Sequence, residues 1–180
     1  MALCHKYRVN CVAKPWQGLA RIEAQRYGVA QTTFSGDCDL SRYWLMKSEP
    51  FKYGWDDLVA EKEGTWDGVR NHRAKNNLAA MKVGEEAFFY HSREGLEIVG
   101  VATVSVDGIM DPTDPEQKWA AVKIKPKSKL KEPVTLKQIK AEPKLADCEL
   151  VRLSRLSVAE LKPDEWDIIL EMGGGLSGEI

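Results

Sequence analysis

Two apolar runs constrain the fold more than anything else in this chain. Glu86–His91 (EAFFYH) and residues 97–106 (EIVGVATVSV) are dense in β-branched and aromatic residues and are joined by the polar turn SREG, which is the pattern of a β-hairpin. In the second run Ile98, Gly100, Ala102 and Val104 alternate with Val99, Val101, Thr103 and Ser105. That alternation puts small residues on one face, where another backbone or a bound ring can approach closely.

Further strands flank the hairpin. YWLMKSEP opens with a compact strand, with Tyr43, Leu45 and Lys47 on one face and Trp44, Met46 and Ser48 on the other, and Pro50 ends it. A strand over about residues 119–130 carries lysine at every second position from Lys123 through Lys131, hence one basic face. Both a phosphate track and lysine protection of an edge strand fit that pattern. LSRLSV, residues 153–158, reads as a last strand.

Helices are expected over residues 55–63, with Leu58 and Val59 facing in, Asp56 and Asp57 in the first turn and Gly64 as the stop. Others follow at TLKQIK after Pro133, as a half-turn within residues 146–151, and from Lys162-Pro163 through Trp166, Ile169, Leu170 and Met172 to the closing GGG. DPTDP, residues 111–115, is a rigid loop because each proline fixes its own φ and restrains the residue before it. Trp119 and Trp166 are assigned to the core. Strands outnumber helices and are mainly hairpin-linked, so the fold class is α+β, a small bent or barrel-like sheet with helices at its rim, not a doubly wound fold.

The densest polar stretch is residues 66–77, WDGVRNHRAKNN. Asp67 and Gly68 read as a turn, and from Arg70 the spacing is helical, with Asn71 as cap and Ala74, Leu78 and Met81 recurring at intervals of four and three. A helix start offers free N–H groups, so Arg70 and Asn71 stand where phosphate or a polar ring edge is welcome. The same residues also make an ordinary capped surface helix with solvated charges.

At 180 residues, 43% hydrophobic and 29% charged, the chain has room for one domain with a proper core, or a domain plus a tail. No apolar run approaches the roughly 20 residues that span a bilayer, and no secretory h-region is visible, so an intracellular, reducing setting is expected, cytoplasmic in a bacterium and nuclear in a eukaryote. Cys4, Cys11, Cys38 and Cys148 form no CxxC pair and read as free thiols, with no metal and no cofactor implied. Residues 1–42 hold six Lys/Arg against three acids, and the remainder holds twenty against twenty-four. The mildly acidic remainder argues against a strong nonspecific grip on duplex phosphate. Residues 1–41 show no clear element and read as a poorly ordered extension or as sequence upstream of the true start.

In this order, YWLMKSEP, WDGVRNHRAKNN, GEEAFFYHS, GVATV, DPTDP, SRLSV and a closing tryptophan helix resemble the EVE domain, a member of the PUA-like superfamily, over about residues 43–173. The order and number of motifs carry the resemblance, since no one of them is specific alone. It implies a PUA-like pseudo-barrel of mixed, mainly antiparallel sheet with peripheral helices, followed by a Gly-rich tail at residues 174–180. It also implies binding of a modified base, chiefly 5-methyl- or 5-hydroxymethylcytosine in DNA, with modified RNA as the second option.

Base recognition accounts for the residue types. A base under inspection leaves its stack, and an aromatic face together with edge hydrogen bonds must offset the lost stacking. Trp44, Trp66, Tyr90 and His91 are the candidate rings, although Trp44 sits within a strand and also reads as core. Cytosine presents an N4 donor beside N3 and O2 acceptors, which Glu49, Asp67, Asn71, Asn76 and Asn77 can match, while Ser48 or Ser92 suits a hydroxymethyl group. Lys47, Arg70 and Arg73 are the phosphate candidates. Residues 66–70 and 90–92 are expected to share one concavity. Two other readings stand beside this one: an enzyme acting on nucleotides or nucleic acid, drawn through His91-Ser92 with Asp67 or an Asp67–Asp111 metal pair, and a protein adaptor using the sheet edge.

Overall fold

The computed structural model describes residues 42–178; the reading of residues 1–41 as an extension, and the cysteines within them, lie outside the described residues. In chain order the elements are β1 (Tyr43–Ser48), α1 (Trp55–Glu61), β2 (Gly64–Trp66), α2 (His72–Ala80), β3 (Glu86–His91) and β4 (Glu97–Met110). Then come β5 (Ala120–Thr135), α3 (Leu136–Ala141), a 3-10 turn (Pro143–Leu145), α4 (Glu149–Arg152), β6 (Val158–Leu161) and α5 (Pro163–Met172). Among the described residues α-helices are thus nearly as numerous as strands. No described helix is long and apolar enough to cross a membrane.

The six strands form one mixed sheet in the order β2-β5-β4-β3-β1-β6. Only β1 with β3 is parallel, Ser48 lying opposite His91; every other pairing is antiparallel. The period-2 pattern sorts side chains between two cores. Trp44, Met46, Phe89, Ala102 and Val104 pack with Trp55 and Leu58 of α1 and Ala74 and Leu78 of α2. Leu45, Phe88, Tyr90 and Val101 pack with Ile139 of α3, Leu150 of α4 and Trp166 and Ile169 of α5. Trp166 is core as expected, its ring stacked 3.8 Å from Phe88 and 4.5 Å from Tyr43.

The sheet is not closed, yet it curls strongly. Trp66 of edge strand β2 packs edge-on against Phe89 of β3, centroids 5.5 Å apart, although β5 and β4 lie between those strands. An edge strand meets a strand three places away only if the sheet bends back over its own face, which is the barrel-like curvature that bulges produce. The pairings of β4 shift register at four places along β5.

One shift corrects the alternation read along β4. Phe89 pairs with Gly100 and Tyr90 with Ile98, so Val99 is an extra residue and side-chain parity inverts across it. Ile98 therefore joins Val101 in one core, and Ala102 and Val104 face the other. The close approach expected at Gly100 is real: a Cβ there would lie 2.6 Å from the Trp55 ring and 2.9 Å from the Ser128 carbonyl.

Three boundaries also differ. Helix α1 ends at Glu61 through left-handed Lys62, and Gly64 opens β2, a strand of three residues. The last strand is Val158–Leu161, and residues 153–157 form the loop before it. Trp119 precedes β5 and is half-buried at the surface, with Arg70 and Lys75 each 5.6 Å from its ring centroid, so it is a platform for cations and not core. The start of the Gly-rich tail is held: Leu176 bridges Leu130, and Ser177 N–H donates to the Lys129 carbonyl at 2.9 Å.

Candidate nucleic-acid interface

A cleft of about 900 Å³ gathers the ends of β1, β2 and β3 with the loop before β6. From the polar stretch 66–77 it takes Trp66, Asp67, Gly68, Val69 and Arg70; from β1 and its turn Lys47, Ser48, Glu49, Lys52 and Tyr53; from the β3 turn Tyr90, Ser92, Arg93 and Leu96. The shared concavity of residues 66–70 with Tyr90 and Ser92 is therefore present. Five cationic side chains (Lys47, Lys52, Arg70, Arg93, Arg155) line it against two carboxylates, Glu49 and Asp67, with buried Asp111 behind Arg70 as a third. Glu49 takes Lys52 and Arg93 and Asp111 takes Arg70, so Lys47 and Arg155 are the lining cations without a carboxylate partner among the described residues. The chain as a whole is slightly acidic, so this is a local reversal of sign that favours an anionic ligand.

A buried carboxylate sets the cleft wall. Asp111 is 1% exposed and accepts from Gly68 N–H at 2.9 Å, Arg70 Nη1 at 2.6 Å and Thr113 N–H at 2.7 Å. Burial by itself raises its pKa, but the hydrogen bonds from Thr113, Arg70 and Gly68 outweigh that and hold it at about 2. Gly68 can offer its N–H because the turn needs φ +69, the left-handed region that glycine adopts without strain. Arg70 also donates to Thr113 Oγ1 at 2.9 Å and to the Val69 carbonyl at 3.2 Å, so much of its guanidinium is engaged in fastening the 66–70 wall to the DPT loop.

Asp67, half-buried beside this hub, has its carboxyl pushed up by burial and then by the charge of Asp111, with Arg70 pulling the other way. Lys47 reaches the cleft with its ammonium on two backbone carbonyls, Ser154 at 3.2 Å and Leu153 at 3.4 Å, and 6.0 Å from the Tyr90 ring. Burial lowers its pKa, as expected for an ammonium paired with no carboxylate among the described residues. Glu49 receives Lys52 at 2.7 Å and Arg93 at 2.5 Å, and their hydrogen bonds hold its carboxyl below the usual range. Ser48 Oγ donates to the Tyr53 carbonyl at 2.6 Å, and Ser92 Oγ to the Ser48 carbonyl at 2.9 Å.

The other expected residues lie elsewhere, for physical reasons. Trp44 is fully buried, its indole N–H held by Glu85 at 2.6 Å. His91 lies outside the cleft, its Nε2 accepting from Trp55 N–H at 3.2 Å while burial lowers its pKa. Asn71 caps α2 through Oδ1, accepting from Arg73 and Ala74 N–H at 2.9 and 3.1 Å. Asn77 donates to the Val158 carbonyl at 2.8 Å, Asn76 is exposed on α2, and Arg73 pairs with Glu149. Trp66 borders the cleft but is only 7% exposed, wedged edge-on between Phe89 and Tyr53, so its ring offers an edge and not an open face.

Residues 42–172 match the EVE domain family. The chain belongs to that family. Mouse thymocyte nuclear protein 1 is 35% identical over 176 residues, covering 78% of this chain and 78% of the mouse protein. Among solved structures this EVE domain is similar to Rpa0253 from Rhodopseudomonas palustris, at 49% identity and a TM-score of 0.71, covering 74% of this chain and 93% of that one. It is also similar to the human THYN1 protein in complex with 5-methylcytosine-containing DNA, at 32% identity and a TM-score of 0.67, covering 74% of this chain and 98% of that one. The α+β, PUA-like fold expected from the motifs is the fold of this EVE domain.

Sequence reasoning missed Lys52, Tyr53, Thr65, Arg93, Leu96 and the loop 154–157 as cleft residues. The alternation of SRLSV had a strand's appearance, and three-residue β2 is too short to show any period. The signal that could have found Arg93 and Leu96 was the hairpin itself, whose turn sits at the end of β3 beside Ser92.

Proposed function

We propose that this EVE domain is a non-catalytic binder of DNA carrying a modified cytosine, which it takes into the cleft between residues 66–70, 47–53 and 90–96. The observation that carries the reading is the local surplus of cations around a cleft roomy enough for a nucleotide, with a carboxylate, Asp67, that has no side-chain partner among the described residues, in a chain whose human relative was crystallised with 5-methylcytosine-containing DNA. In the proposed pose Asp67 accepts from the N4 amino group, which a carboxylate can do in its ionised form. Half-buried Tyr53 and the Trp66 edge give the ring apolar contact, Tyr90, 2% exposed, adds only the little that core packing leaves uncovered, and Leu156 and Val69 offer a recess for a methyl group. Lys47 supplies a donor to a ring acceptor or a phosphate, and Lys52, Arg93 and Arg155 meet the backbone, which positions without reading sequence.

The catalytic reading through His91-Ser92 loses its geometry. Ser92 faces the cleft while His91 is turned away and bonded to the Trp55 backbone, so no base stands next to that hydroxyl. Asp111, the second member of the drawn metal pair, already accepts from Gly68, Arg70 and Thr113.

The test is a titration, at one fixed salt concentration, of matched oligonucleotides carrying cytosine, 5-methylcytosine, 5-hydroxymethylcytosine or N6-methyladenine, as DNA and as RNA. Tighter binding of a modified-cytosine DNA is expected. Equal affinity for all of them removes the modified-base reading, preference for modified RNA moves the ligand class, and turnover of any oligonucleotide in Mg²⁺ or Mn²⁺ removes the word non-catalytic.

A further inference from the structure

The turn between β1 and α1 presents a phenylalanine that base binding in the cleft leaves without a role. Phe51 is 62% exposed, the most exposed large hydrophobic side chain among the described residues, and it stands between Glu49 and Lys52, both of which line the cleft. Its turn is firmly tied. Lys52 and Tyr53 N–H donate to the Glu49 carbonyl at 2.8 and 3.0 Å, and Ser48 Oγ holds the Tyr53 carbonyl at 2.6 Å. The Glu49 carboxylate, shared by Lys52 and Arg93, links this turn to the one after β3. That second turn carries Leu96, 43% exposed and itself lining the cleft.

A single exposed phenylalanine is ordinary on a protein surface. One held on a pinned turn beside the cleft, with Lys52 Nζ 5.7 Å from its ring and with Glu49 of the same turn bound to Arg93, is placed for a task. Turning a base out of a duplex leaves a gap in the stack, and apolar side chains inserted between base steps fill such gaps while nearby cations hold the phosphates. We infer that Phe51 enters the gap left in duplex DNA when the modified base turns out into the cleft, with Lys52 and Arg93 on the flanking phosphates and Leu96 against the neighbouring sugar. This rests on the base-binding reading of the cleft, and it makes Phe51 a positioning residue for duplex DNA alone.

The experiment compares wild type, Phe51→Ala and Phe51→Trp on duplex and single-stranded oligonucleotides carrying one 5-methylcytosine, with 2-aminopurine beside it as a reporter of unstacking. Phe51→Ala is expected to weaken duplex binding about 10-fold, the scale of losing support for one unstacked step, while single-strand binding stays within about 2-fold. The aminopurine signal should fall with it, Phe51→Trp should restore both, and the melting temperature should not move because the ring is exposed. Duplex binding unchanged by Phe51→Ala, or duplex and single strand weakened alike, overturns the wedge while leaving the cleft reading intact. Wild type that prefers the modified base in neither form overturns the cleft reading and the wedge with it.

Discussion

The stretch WDGVRNHRAKNN divides into two halves with opposite uses. Trp66 to Arg70 forms a wall of the cleft, with Asp67 half-buried and without a hydrogen-bond partner from another of the described residues. From Asn71 onward the same density of polar groups builds helix α2: Asn71 caps it, Asn77 fastens it to the Val158 carbonyl, and Arg73 pairs with Glu149. A cluster of polar residue types therefore marks a ligand site only where the fold leaves their hydrogen-bonding capacity open. The lysine row of β5 repeats the lesson, because Lys123 and Lys125 meet Glu63, Lys127 meets Glu86 and Lys129 meets Asp56.

The largest effect expected in the first half is on stability. Trp66→Ala removes an almost fully buried indole from the contact with Phe89, which costs roughly 3–5 kcal/mol by urea unfolding, whereas Trp66→Phe costs much less. The alanine variant is thus a poor probe of binding. Asp111→Ala, which strands Gly68 N–H and the Arg70 guanidinium, should cost about 3 kcal/mol and weaken DNA binding by loosening the wall. The same carboxylate gives the fold an acid limit. Its folded pKa of about 2 lies below the unfolded aspartate value, so its contribution is fully present above about pH 4 and is lost as pH falls toward 2. An Asp111→Asn variant should show a flatter acid limb in the same pH titration of stability.

Next in size is Asp67→Asn. It should leave unfolding free energy nearly unchanged and weaken binding of cytosine-containing DNA by roughly 1–3 kcal/mol, the scale of one edge pairing. Because burial and Asp111 raise the Asp67 pKa, wild-type affinity should also begin to fall on acidification at a pH above the ordinary aspartate value, as the acceptor is protonated. In the second half the expected changes are smaller and fall on stability alone. Asn71→Ala should cost about 1 kcal/mol through the lost cap and leave affinity unchanged. Asn76→Ala, exposed and unbonded among the described residues, should stay within about 0.5 kcal/mol in stability.

Much of this architecture was legible because it is local. The two faces of β1, the SREG hairpin, the Asn71 cap and the Trp166 helix all follow from period and capping chemistry within a few residues. What escaped is set by long-range contacts. The parity change at Val99 depends on how β3 and β5 pair with β4, and the engagement of Arg70 depends on Asp111, forty-one residues away. Trp119, assigned to the core by sequence, is half-buried in the structure, with Arg70 and Lys75 from forty or more residues away each 5.6 Å from its ring centroid. Arg93 meets Glu49 from forty-four residues away, a partnership that local spacing does not record, whereas Lys52 meets the same carboxylate at i,i+3.

The most direct measurement of the central claim is a paired titration of 5-methylcytosine and cytosine oligonucleotides with wild type, Asp67→Asn and Asn76→Ala, each first shown to be folded. The account predicts that wild type prefers the methylated strand, that Asp67→Asn loses roughly 10-fold or more in affinity, and that Asn76→Ala matches wild type. Equal losses from the two variants, or a wild type blind to the methyl group, would contradict it.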